Sequence, residues 1–137
     1  MGESNVNAER EQLLRQFDAG QHLKQLRGDR PLSEISKLMN VSKGYLSEVE
    51  RGIRLPSDHF IGEIAKVYNT DVDDLFFRWG KIPILSYHVI AENKKLAKTI
   101  AEISRRKGLT DEQKERLCDS IHKAYKEVID EIEAEKK

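Results

Sequence analysis

Leu32 to Ser57 reads LSEISKLMNVSKGYLSEVERGIRLPS, and its punctuation decides what this chain folds into. Leu32, Ile35 and Leu38 recur at the spacing of one helix face, so the stretch opens with a short helix that presents those three side chains inward. Met39-Asn40-Val41 interrupts it. A sharp reversal at that point needs a residue that tolerates positive φ, and Asn does so better than other non-glycine residues. Ser42 follows as the N-cap of a second helix, its hydroxyl able to accept from an otherwise unpaired backbone N–H. That helix turns Leu46 and Val49 toward the core, Gly52 and Pro56 end it, and Ser57 caps the next one.

The same grammar extends in both directions. Downstream, Phe60, Ile61, Ile64 and Val67, then Val72, Leu75 and Phe76, fall at helical spacing, with Asp71 in place to cap the second set. Upstream, Leu13, Leu14, Phe17, Leu23 and Leu26 mark a helix with one buried face, which Gly20 weakens and is able to divide. Residues 1–8 (MGESNVNA) are polar and aperiodic and are assigned no structure. Strand alternation is absent, so the expected fold class is all-α.

After Gly80 the character changes. A short apolar connector, Lys81 to Leu85, leads into a long helix through Val89, Leu96, Ile100 and Ile103 that stops at Gly108. Thr110-Asp111-Glu112-Gln113 has the capping-box arrangement and starts a second long helix. Its apolar positions, Leu117, Ile121, Ala124, Val128 and Ile132, form a narrow stripe on an otherwise charged surface, and such a stripe needs a partner. The expected organisation is an N-terminal extension over 1–17, disordered in part or helical, a five-helix unit over 18–80, and a C-terminal helical hairpin over 81–137. In that hairpin Leu96, Ile100 and Ile103 pack on Leu117, Ile121, Val128 and Ile132, with apolar surface left over for dimerisation.

Residues 32–57 thus describe a helix-turn-helix, and residues 18 to about 79 resemble a DNA-binding domain of the Cro and lambda-repressor (XRE) type. The resemblance rests on Leu23, Leu26-Arg27, Ile35, Val41-Ser42, Leu46-Ser47, Glu50-Arg51-Gly52, Pro56, Ile64-Ala65 and Leu75. Leu32 stands where the family often carries a phosphate-contacting Gln, and Asn40 replaces its usual turn glycine. The resemblance implies that the second helix of the motif enters the major groove, its N-terminal residues reaching base edges: here Ser42, Lys43, Gly44, Tyr45, Ser47 and Glu48. Lys43 suits guanine or phosphate, Ser47 donates or accepts, Tyr45 stacks on sugar or meets a thymine methyl, and Gly44 permits close approach. Glu48 stands open between accepting from cytosine and being a solvated surface residue. Lys37, Arg51 and Arg54 are the expected phosphate contacts, which fix register. Arg27 and Glu50 are implied to pair inside the domain.

Charge tempers this reading without removing it. The 137 residues carry 24 basic and 24 acidic side chains, and residues 18–80 hold nine of the first and ten of the second. The basic ones Lys37, Lys43, Arg51 and Arg54 nonetheless cluster at the motif, so binding through one face, weak per head and salt-sensitive, is expected. Other chemistries find little support. Four scattered histidines and one cysteine, Cys118, offer no metal set, so no metal or cofactor is expected. No serine has a His/Asp companion, so the chain is not expected to be an enzyme. Met39, Phe60, Phe76 and Trp79 read as core, and Arg105-Arg106-Lys107 as the complement of a helix C-terminus. No apolar run reaches membrane-spanning length and no signal peptide is visible, so a cytoplasmic, nucleoid-associated location without a membrane partner is expected.

The expected function is a dimeric, sequence-specific regulator, a repressor of a bacterial or mobile-element promoter. Its expected partners are double-stranded DNA with a palindromic operator and a second copy of itself, with tetramers and a protein or peptide antagonist left open. The rival is an antirepressor or antitoxin-like adaptor that acts through its C-terminal helices.

Overall fold

The computed structural model describes residues 2–136 and, among them, contains only helices. In chain order these are α1 (Gly2–Arg27), α2 (Leu32–Leu38), α3 (Lys43–Glu50), α4 (Asp58–Tyr68), α5 (Val72–Arg78), α6 (Ile84–Glu92), α7 (Lys94–Arg105) and α8 (Asp111–Glu135). Two compact units result, Met1–Val89 and Ile90–Lys137.

Local chemistry sets the boundaries of the first unit. The Ser42 hydroxyl accepts from the Tyr45 N–H at 3.0 Å, Ser57 from Phe60 at 3.2 Å, and Asp71 from Asp73 and Asp74, so α3, α4 and α5 each start on a side-chain cap. Asn40 reverses the chain between α2 and α3 at φ +55°, and Asn69 ends α4 in the same left-handed region at φ +51°. α1 packs on α3 and α5, α2 on α3, and α4 on α5. Their shared core holds Leu23, Ile35, Leu46, Val49, Ile61 and Ile64, closed off by Trp79, Phe60, Phe76 and Met39.

Three expectations about this unit are corrected. Residues 2–8 are helical, and residues 2–17 form the first part of an α1 that runs unbroken through Gly20; Met1 lies outside the described residues. A helix nucleated by packing downstream propagates at little cost through good formers such as Ala8, Glu9 and Arg10. The buried face of α1 is also different: Leu13, Leu14 and Phe17 are exposed, while Gln16, Ala19, Gly20 and Leu23 face inward. The backbone of α3 comes so close that only small side chains fit between the two helices. A Cβ on Gly20 would lie 2.4 Å from the Glu50 carbonyl oxygen, and one on Gly52, at φ +78°, would lie 2.7 Å from Phe17 Cα. In α2, Leu38 is 59% exposed and Met39 takes the inward place, since Met39 keeps helical backbone geometry and stands four residues after the buried Ile35, on the same helix side.

Buried polar groups are few. Gln16 donates to the Gly52 carbonyl at 3.3 Å, Gln12 to that of Trp79 at 3.2 Å, and the Ser36 hydroxyl to that of Ser33 at 3.1 Å. The Tyr68 hydroxyl is buried with no hydrogen-bond partner, beneath an Arg30 guanidinium 5.2 Å from the ring centre. Burial raises its pKa, with the Glu50 carboxylate adding to the effect. A raised folded-state value leaves this contribution intact below pH ~10 and removes it as pH climbs through the folded pKa. Tyr68→Phe is expected to stabilise the chain by about 1 kcal/mol, since it deletes an unsatisfied buried hydroxyl, and to flatten the alkaline decline. Thermal melts of both proteins between pH 8 and 11 check this, and a destabilised Phe variant contradicts it.

The long helix expected to reach Gly108 is broken at Asn93, whose side chain accepts from the Leu96 N–H at 2.9 Å and so starts α7 afresh. Thr110 and Gln113 form the reciprocal capping box at the start of α8, at 2.9 and 3.1 Å. The expected mutual burial of the α7 and α8 stripes is not seen. Leu96, Ile100, Leu117, Ile121, Val128 and Ile132 are all exposed, and residues of the two helices line a shared hollow near the Gly108 turn. α7 spans 12 residues and α8 spans 25, so the shorter helix cannot cover the longer stripe.

Candidate nucleic-acid interface

α3 buries one side and offers the other. Leu46, Val49 and Glu50 point into the unit, whereas Ser42, Lys43 and Gly44 at its start and Arg51 and Arg54 beyond its end are exposed, with Ser47 and Glu48 half-buried between them. The spacing that sends Leu46 and Val49 inward turns Gly44 and Ser47 away from the core, while Lys43 is exposed as the first residue of the helix. Gly44 is left open by the fold: a Cβ placed there meets nothing within 4 Å.

Glu50 is only 1% exposed, and the Arg27 guanidinium answers it with a two-pronged bond, Nε to Oε2 at 2.8 Å and Nη2 to Oε1 at 2.9 Å. The remaining Nη1 donates to the Arg30 carbonyl at 2.8 Å. The hydrogen bond to Glu50 outweighs desolvation and raises the Arg27 pKa, so this group is charged at every ordinary pH. The pair ties the end of α1 to the end of α3 and holds the exposed face at a fixed angle to the core.

Two of the sequence-picked base contacts turn out to be engaged elsewhere. Tyr45 is half-buried, its ring meets Phe60 edge-on at 4.9 Å, and its hydroxyl accepts from the Ser57 N–H at 3.4 Å. Glu48 accepts from Arg54 Nε at 2.6 Å, and the same guanidinium lies over the Tyr45 ring at 5.5 Å. Arg54 is thereby restrained on two sides, with its two Nη groups unused by Glu48. That hydrogen bond also raises the Arg54 pKa. Arg51 is likewise positioned, its Nε donating to the Ser47 hydroxyl at 3.2 Å. Among the described residues Lys37 and Lys43 form no ion pair and present free charge on α2 and α3.

The capped N-termini of α3 and α4 open on one groove of about 630 Å³, lined by Asn40, Val41, Ser42, Ser57 and His59 among others. Unpaired backbone N–H groups and the positive end of each helix dipole favour an anion there. Lys81 holds the far side of this groove in place. Its Nζ donates to the Pro56 carbonyl at 3.0 Å and pairs with Asp58, the first residue of α4. The sequence reading missed Lys81 because it sits in an apolar connector far from the motif, and nothing in its spacing signals that contact. It also missed Gln12 and Gln16, whose partners lie 67 and 36 residues away.

Compared with known proteins, residues 23–75 match a family model described as Helix-turn-helix, from the end of α1 to the middle of α5. No curated protein and no solved structure matches the chain. None of its helices is long and apolar enough to cross a membrane, among the described residues.

Proposed function

We propose, from the premise that residues 23–75 are a Cro and lambda-repressor type helix-turn-helix in a DNA-binding transcription regulator, that the chain is a homodimeric repressor reading a two-fold operator. The observation that carries this is the free face of α3. Lys43, Gly44 and Ser47 present two polar groups and a bare backbone on that face: among the described residues Lys43 forms no ion pair, a Cβ on Gly44 meets nothing within 4 Å, and the Ser47 hydroxyl is engaged by Arg51, a residue of the same face. A glycine inside a helix costs roughly 0.5–1 kcal/mol relative to alanine. A site that tolerates this cost where no internal contact demands it suits close approach by a ligand.

The roles divide as follows. Lys43 and Ser47 read base edges through the major groove, and Gly44 lets the helix come near. Ser42 spends its hydroxyl on the cap and contributes its place at the positive helix end. Lys37, Arg51 and Arg54 take phosphates, Arg54 through its Nη edge while Glu48 and Tyr45 hold the plane of the guanidinium. Glu48 is therefore a positioning residue, and its pairing with Arg54 relieves the repulsion that a bare carboxylate would meet near phosphate. This weakens the adaptor reading, which drew on that acidic side chain. Two half-sites one turn of DNA apart need two α3 helices about 34 Å apart, and dimerisation through the second unit is the means of bringing two of them together.

Selection of bound duplexes from a random library by the full chain, at low and physiological salt, tests the proposal. A roughly palindromic motif is expected, with affinity falling steeply as salt rises. Lys43→Ala/Arg51→Ala should weaken binding at least tenfold at unchanged melting temperature. Glu48→Ala should weaken it through Arg54, so that Glu48→Ala adds nothing in an Arg54→Ala background. Absence of any enriched motif at low salt would overturn the regulator reading in favour of an adaptor.

A further inference from the structure

Half of α8 has nothing from its own unit to lie against. At ~1.5 Å per residue α7 is roughly 18 Å long and α8 roughly 37 Å. Near the turn at Gly108, Thr99, Ile103 and Arg106 share a hollow with Leu109, Gln113 and Leu117, and α7 is too short to reach the far half of α8. Past Leu117 the stripe is open: Ile121, Tyr125 and Val128 are 56%, 57% and 52% exposed. An isolated amphipathic helix end of this kind is marginal in water and gains its stability from a partner.

Charge identifies that partner. The protruding end carries Glu127, Asp130, Glu131, Glu133 and Glu135 and, over 127–135, no Lys or Arg. Two α8 helices side by side in parallel would set these acidic ends against each other. In an antiparallel pair they would meet residues 111–126, whose four acidic and four basic side chains cancel. α7 is different: Lys94, Lys95, Lys98 and Arg105 stand against a single acid, Glu102. Its stripe also has the right spacing. Leu96, Ile100 and Ile103 step by four and three, as Ile132, Val128 and Tyr125 do when read backwards. Leu96 and Ile100 keep exposed surface for such a contact.

Resting on the homodimer reading above, we propose that the protruding half of α8 docks antiparallel on α7 of a second copy. The contact is reciprocal, and it sets Leu96, Ile100 and Ile103 of one copy on the Ile132, Val128 and Tyr125 positions of the other. The aliphatic row supplies affinity; the basic-on-acidic match selects α7 over α8 and fixes the direction. Both contacts form together, so the assembly closes at two copies.

Two charge-reversed full-length variants test this by sedimentation velocity, each first checked for unchanged helicity by circular dichroism. One is Glu127→Lys/Glu131→Lys/Glu135→Lys, the other Lys94→Glu/Lys95→Glu/Lys98→Glu. Each alone is expected to self-associate at least tenfold more weakly than the parent, because both of its docking surfaces then carry one sign. An equimolar mixture is expected to regain parental association, since both reciprocal contacts become attractive. If the α7 variant alone dimerises like the parent, α8 pairs with something other than α7, and the docking mode fails while the dimer stands. Loss in both variants without recovery on mixing overturns it as well. A monomeric parent at tens of micromolar sinks the dimer reading itself.

Discussion

Replacing Arg27 with Met is expected to cost the first unit about 3 kcal/mol, a loss of roughly 10 °C in melting temperature for a chain of this size. The reason is asymmetric. The Glu50 carboxylate is almost wholly removed from water, and both its oxygens are met by one guanidinium. Deleting the cation does not merely subtract an attraction; it strands a desolvated charge, and breaking a buried pair in this way costs about 3–5 kcal/mol. The lower end applies because the Arg27 side chain is still 19% exposed and water can enter once it is gone. Replacing both partners, Arg27→Met/Glu50→Leu, should restore most of the loss, since hydrophobic substitutes of similar volume are often neutral at such sites. Arg27→Lys should fall between, because a single ammonium cannot reproduce the fork. Denaturant titration of the four proteins decides it: an Arg27→Met variant within about 1 kcal/mol of the parent would show that the pair contributes little.

Gly20→Ala should destabilise by about 2–3 kcal/mol, although helix propensity alone predicts a gain of roughly 0.5–1 kcal/mol. The added Cβ would sit 2.4 Å from the Glu50 carbonyl oxygen and 2.8 Å from that of Val49. Both are backbone atoms at the end of α3, with no rotamer to give way, so the two helices must separate. Separation would pull Leu23 off the Leu46 and Val49 side and stretch the Arg27 fork, which spreads the cost through the unit. Gly62→Ala is the control. It lies inside α4, a Cβ there meets nothing within 4 Å, and the same substitution should stabilise. If both variants gain stability in denaturant melts, the close approach of α1 and α3 is not a constraint. Because the exposed face of α3 is held by the same contacts, Gly20→Ala should also weaken DNA binding at temperatures where the chain is still folded.

What the sequence determined by itself was the set of decisions made within a few residues. Ser42, Ser57, Asp71 and the Thr110/Gln113 box start helices because their side chains reach a backbone N–H two or three positions on, and Asn40 turns the chain by its own backbone preference. Those short-range energies hold whatever the rest of the molecule does, which is why all-helical architecture and the inward set Leu46, Val49 and Ile64 could be read from spacing. The tertiary structure decided every question in which a competing partner lies far along the chain. Leu13, Leu14 and Phe17 are the more hydrophobic side of α1, yet Gln16, Ala19 and Gly20 face inward, because the approaching α3 backbone admits only small groups or a side chain able to bond to Gly52. Tyr45 and Glu48 belong by position to the reading face, yet Phe60 with Ser57 engages the first and Arg54 the second. Periodicity states which residues share a helix side; only the distance and chemistry of the neighbouring backbone select the side that is buried and the side chains left free to bind.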